Sequence, residues 1–124
     1  MKAQKIDNIE GFRSYCLAKK GVTEDLPFGE DTLVFRVANK IFALTSLSAK
    51  PFRVNLKCNP EWAEELRANY DEIIPGYHMN KMHWNTVYLE SSHLPFDLKL
   101  KLVDHSYDLI FQKLSKKEKE LLEN

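Results

Sequence analysis

The chain has 124 residues, 44% of them hydrophobic and 29% charged, a length and balance that suit one globular domain and leave no room for a second. No segment approaches the roughly 20 consecutive apolar residues of a membrane span. The opening Met-Lys-Ala-Gln-Lys lacks the apolar core of a secretory signal, so a cytoplasmic protein is expected. Eighteen Lys and Arg balance eighteen Asp and Glu, which excludes a partner recruited by overall charge alone.

Asp7 followed by Glu10 has the spacing of an N-cap and its reciprocal partner, and Ile6, Ile9, Phe12 and Tyr15 or Cys16 recur at helical spacing. A first helix is predicted over 8–20, ended by Gly21, with Gly11 inside it pointing to close packing against a neighbour. Pro27 and Gly29 limit residues 22–30 to an irregular or edge strand. Leu33, Phe35 and Val37 then alternate with Val34, Arg36 and Ala38, and Asn39-Lys40 connects them to a partner strand over 41–45, which makes a hairpin. Phe52, Val54, Leu56 and Cys58 alternate with Arg53, Asn55 and Lys57, giving a strand with one core face and one basic face.

Asn59-Pro60 caps and opens a second helix that should end near Tyr70, with Trp62, Leu66 and Tyr70 as its buried stripe. Ile73 and Ile74 lead into a Pro75-Gly76 turn, and Trp84, Thr86 and Tyr88 alternate with Asn85, Val87 and Leu89 in a last strand. Pro95 can open a long helix with Val103, Tyr107, Ile110 and Leu114 facing inward, and residues 115–124 read as a charged, frayed or loosely helical tail. The order predicts a single α+β domain over 1–124, an antiparallel sheet with helices packed on one side.

The charges are unevenly placed. Residues 32–60 contain Arg36, Lys40, Lys50, Arg53 and Lys57 and no acid, and residues 73–89 contain Lys81 and no acid, so a neutral chain can carry one basic face. Arg53, Asn55 and Lys57 project from one strand face at a spacing of about 7 Å, near that of successive phosphates, and read equally as a solvated outer face. His78, Asn80, Lys81, His83 and Asn85 crowd a stiff turn whose donors suit phosphate oxygens or base edges; Asn80 and Asn85 are also ordinary turn residues.

His78 and His83, with His93 or Cys58, lack the spacing of a metal site. Asp104-His105-Ser106 would point three ways on a helix, and Glu24, Asp25, Glu30 and Asp31 read as an acidic turn. Cys16 and Cys58 are expected to be buried thiols, with a disulfide as the alternative. With no dinucleotide, P-loop, HExxH or nucleophile-elbow motif, the chain is expected to be neither an enzyme nor a cofactor carrier.

The strings PFGEDTLVFRVANKIFAL, LKCNPEWAEELR, PGYHMNKMHWNTVYLE and LVDHSYDLIFQKL closely resemble the MmcQ/YjbR family of small bacterial proteins, over about residues 12–114. The resemblance implies a CyaY-like α+β fold and a DNA-binding role, with β-hairpin wings straddling the duplex. It marks Lys57, Gly76, His78, Asn80, Lys81, His83, Trp84 and Asn85, with Gly76 and Trp84 architectural and the others contacting DNA. The first helix carries Arg13, Lys19 and Lys20, unlike the acidic helix with which the related frataxins handle iron. The resulting expectation is a monomeric or weakly dimeric protein that binds DNA weakly and salt-sensitively. A protein or small-molecule interaction module, suggested by Tyr77, Met79 and Met82, is the alternative.

Overall fold

A computed structural model describes residues 5–76, 79–91 and 93–123. The chain runs α1 (Ile9–Leu17), β1 (Val22–Asp25), β2 (Thr32–Val37), β3 (Lys40–Ser46), β4 (Val54–Lys57), α2 (Pro60–Asn69), β5 (Ile73–Pro75), β6 (Trp84–Val87), α3 (Phe96–Phe111) and α4 (Lys116–Glu123). The strands form one antiparallel sheet in the order β1-β2-β3-β4-β6-β5.

Strand alternation decides which side of that sheet is covered. Leu33, Phe35, Val37, Ala43, Val54, Leu56, Val87 and Ile73 share one face by register and are buried. The helices pack there. Phe12 of α1 meets Phe35 and Phe52 edge-on, and Tyr107 of α3 meets Phe42 in the same way. Ala63 and Leu66 join the same core from α2. The other face, with Leu44, Asn55, Thr86 and Ile74 across adjacent strands, is the outer side of the sheet.

Several local expectations are corrected. The first helix is capped by Asn8, not Asp7: Asn8 Oδ1 accepts from Gly11 N at 2.8 Å, and the helix stops at Leu17 rather than Lys20. A Cβ on Gly11 would stand 1.9 Å from the Lys5 carbonyl oxygen, which explains a glycine inside a helix. The β2–β3 turn is centred on Ala38 and Asn39, not Asn39 and Lys40; their φ values of 49° and 69° supply the two left-handed residues that a tight, twist-matched hairpin needs. In α2 the buried residues are Ala63 and Leu66, while Trp62 and Tyr70 are half-buried.

Past Leu114 the chain forms α4, with a reciprocal capping box in which Ser115 Oγ accepts from Glu118 N and Glu118 Oε1 accepts from Ser115 N. Leu122 packs onto the core beside Gly21. Cys16 and Cys58 are buried and free, and no disulfide joins them. No helix among the described residues is long and apolar enough to cross a membrane.

Candidate nucleic-acid interface

Alternation along β4 sends Val54 and Leu56 into the core and puts Arg53, Asn55 and Lys57 on the outer face. The three therefore share a side, but their surroundings differ. Arg53 lies over the Tyr88 ring, 5.5 Å from its centroid, and donates to the Pro51 carbonyl. Tyr88 and Pro51 also line a 430 Å³ cavity with Asp71, Glu72 and Glu90, so this end of the row is acidic. Asn55 is tied across the sheet, its Oδ1 accepting from Thr86 Oγ1 at 2.6 Å.

Lys57 stands at the opposite end, beside Lys113 from the segment after α3. Partial burial, and then the neighbouring Lys113 charge, hold its ammonium below the usual lysine range. Neither lysine has a carboxylate within 4 Å among the described residues, whereas Arg13, Lys19, Arg36 and Lys40 pair with Glu24, Asp104, Asp25 and Glu118. Lys113 carried no sequence signal, because only the fold brings it to β4.

The turn that leads into β6 adjoins this end, since Lys57 and Trp84 are register partners. Asn80 uses its groups locally: its side chain accepts from Met82 N, and its carbonyl from His83 N and Trp84 N. The His83 carbonyl accepts from Cys58 N at 2.7 Å, which stitches the turn to the end of β4. The Gly76 amide bonds the Trp84 carbonyl at 2.9 Å, and a Cβ at Gly76 would crowd Trp84 atoms at 3.1–3.3 Å. Lys81 is exposed on the turn, and His78 lies outside the described residues.

Asn85 corrects the expectation of an exposed contact. It is 1% exposed on the core side of β6, and its Oδ1 accepts from Arg67 Nε at 2.7 Å, so it cannot reach a base edge. Arg67, in the last turn of α2, also donates to the carbonyls of Lys81 and Trp84. Sequence reasoning passed over it, although an arginine at a helix end next to an Asn-rich turn is the residue type able to bind several carbonyl oxygens at once.

Between Asn55 and the β2–β3 hairpin the outer face holds a 510 Å³ basin lined by Phe28, Thr32, Ile41, Leu44, Ser46, Asn55 and Met79. Phe28 is 69% exposed. The Asp104-His105-Ser106 neighbours do separate. Asp104 holds Tyr15 and Lys19, His105 Nε2 accepts from Asn59 N, and Ser106 bonds the strand backbone. Among the described residues no three His, Cys, Asp or Glu side chains gather as metal ligands would.

A family model described as YjbR matches residues 17–109, three quarters of the chain. The chain belongs to the YjbR family. Within that family, "Uncharacterized protein YjbR" of Escherichia coli K12 is 35% identical over 114 residues, covering 92% of this chain and 96% of the relative. A crystal structure of Deinococcus radiodurans protein DR2400, with the domain DUF419, superposes with a TM-score of 0.87 at 38% identity, over 94% of this chain and 88% of the other. A Pseudomonas syringae protein superposes with a TM-score of 0.69 at 30% identity, over 82% and 97%. The YjbR fold is thus the α+β arrangement seen here, with the sheet covered on one side.

Proposed function

We propose that the chain is a binding protein, not an enzyme, and that it holds nucleic acid weakly through the phosphate backbone at the Lys57 end of the outer sheet face. The reading is supported by one observation above the others: Lys57 and Lys113 are held side by side with no carboxylate to neutralise either among the described residues. Two ammonium groups so placed repel each other, and a phosphate between them relieves that repulsion. Asn55 and the exposed Lys81 extend the contact, whereas the acidic cavity beside Arg53 removes that residue from it.

Two or three neutralised phosphates give a log-log salt slope of about −2 to −3. Fluorescence anisotropy with a labelled duplex over roughly 50 to 200 mM salt reads this slope directly. Binding at low salt that falls at least fivefold in Lys57→Glu and in Lys113→Glu is expected. No binding at low salt, or binding indifferent to both reversals, overturns the proposal; Lys113 lies outside every helix and strand, so its variant does not threaten the fold.

The apolar basin favours a second reading, a module for a small molecule or protein segment, because an exposed Phe28 beside Met79 adds nothing to phosphate binding. Phe28→Ser separates the two: it leaves duplex affinity unchanged if DNA is the ligand and abolishes capture of an apolar partner if it is not.

A further inference from the structure

The connection between β1 and β2 presents an aromatic ring at the outer face of the sheet. Pro27 and Gly29, the latter at φ 117°, bracket Phe28, which is 69% exposed. Its ring is one wall of the 510 Å³ basin, with Ile41 and Leu44 of β3 and Met79 of the turn before β6 as other apolar walls. Asn55 lines the same basin from β4. β6 flanks β4 on one side and β3 on the other, so with Asn55 Oδ1 drawn to Thr86 Oγ1 at 2.6 Å the amide nitrogen faces β3 and the basin.

Charge decides what the basin suits. Lys57 follows Asn55 on the same face at about 7 Å. Neither Lys57 nor Lys113 beside it has a carboxylate within 4 Å among the described residues. Behind the Ser46 wall stands a negative charge instead: Asp31 accepts from Ser46 Oγ and Ser48 N, and these bonds hold its carboxyl below the usual range. A fitting occupant therefore carries its anion at the Lys57 end and sets a neutral, flat, apolar-faced body beside Phe28. A phosphate joined to an unpaired base has that form, and an aromatic side chain gives the base a surface to stack on. In a duplex the bases are paired and stacked on each other, so only their phosphates reach the protein.

We infer that this face takes single-stranded nucleic acid in preference to duplex, with one base laid on Phe28 in the basin, its edge on Asn55 Nδ2, and the adjoining phosphate on Lys57 and Lys113. The volume suits a nucleoside-sized group. The inference rests on the phosphate contacts proposed above and adds a contact with the base.

Fluorescence anisotropy of the whole chain tests it with labelled probes of one length, about 12 nucleotides: an unstructured strand as DNA and as RNA, the DNA duplex of that sequence, and a DNA strand without bases. The DNA or the RNA strand is expected to bind at least about fivefold more tightly than the duplex and the abasic strand. Phe28→Ser should remove that advantage and leave duplex affinity, abasic-strand affinity and the salt slope unchanged, since stacking releases no counterions. Phe28→Tyr, which keeps a ring, should retain it. Phe28 is exposed in a connection, so neither variant threatens the fold. Strands that bind no better than the duplex or the abasic strand, or a Phe28→Ser variant that binds them as the native chain does, overturn the inference and leave the phosphate reading standing. Binding of no probe at all overturns both.

Discussion

Arg67 Nε donates to Asn85 Oδ1 at 2.7 Å, and the same guanidinium reaches the Lys81 and Trp84 carbonyls, so one side chain of α2 fixes the turn that enters β6. Removing it leaves the Asn85 carbonyl buried without a donor. Arg67→Ala should cost about 2 to 3 kcal/mol, and Arg67→Lys most of that, since an ammonium lacks the planar fork. Urea denaturation measures the loss; a change under about 0.5 kcal/mol would refute the staple.

Ser106, fully buried, accepts from Lys57 N at 2.8 Å and donates to the Phe42 carbonyl. It lies where the β3–β4 pairing has ended at Ala43 and Leu56, so α3 finishes the ladder with a hydroxyl. Ser106→Ala leaves two backbone groups without their partner at the base of Lys57 and should cost about 1 to 3 kcal/mol. Amide exchange at Lys57 should quicken in step with it; unchanged protection there would contradict the role.

Burial pushes the Cys58 thiol from 9.0 up to about 11, against the opposing pull of Arg67. A folded value above the unfolded one means that this contribution to stability is whole below pH 9.0 and is lost as pH rises toward about 11. Cys58→Ala should flatten that part of the stability profile, and native Cys58 should resist alkylation at pH 8 yet react once unfolded. Rapid labelling of the native protein would be the contrary result.

Ser115 caps helix α4 (Lys116–Glu123), which seats Leu122 by Gly21 and brings Glu118 within 3.7 Å of Lys40. Ser115→Ala should cost about 1 kcal/mol. Truncation before Ser115 should lower Tm by several degrees as Leu122 leaves the core, which a thermal melt reads; an unchanged Tm would restore the picture of a frayed tail.

The sheet and its helices were largely legible because alternation and capping are local: Val54 to Cys58 name their own faces, and Asn59-Pro60 starts α2 as expected. The tail read only as charged and frayed or loosely helical because SKKEKELLEN offers little apolar periodicity, and the apolar residue that packs it down, Leu122, needs Gly21 from far earlier in the chain. The site was half legible. Periodicity put Arg53, Asn55 and Lys57 on one face, but Asn85 reads the same whether it faces solvent or Arg67, and Lys113 becomes distinctive only through what the fold sets beside it.

Nucleic acid bound as proposed lies on the outer face of the sheet at its Lys57 end. Mapping backbone amide shifts of the ¹⁵N-labelled chain during titration with a short duplex locates the contact residue by residue. The largest changes are expected at Asn55–Lys57, Thr86 and Lys113, with the helix face quiet. Changes concentrated on α1 and α3, or none at any duplex concentration, would contradict it.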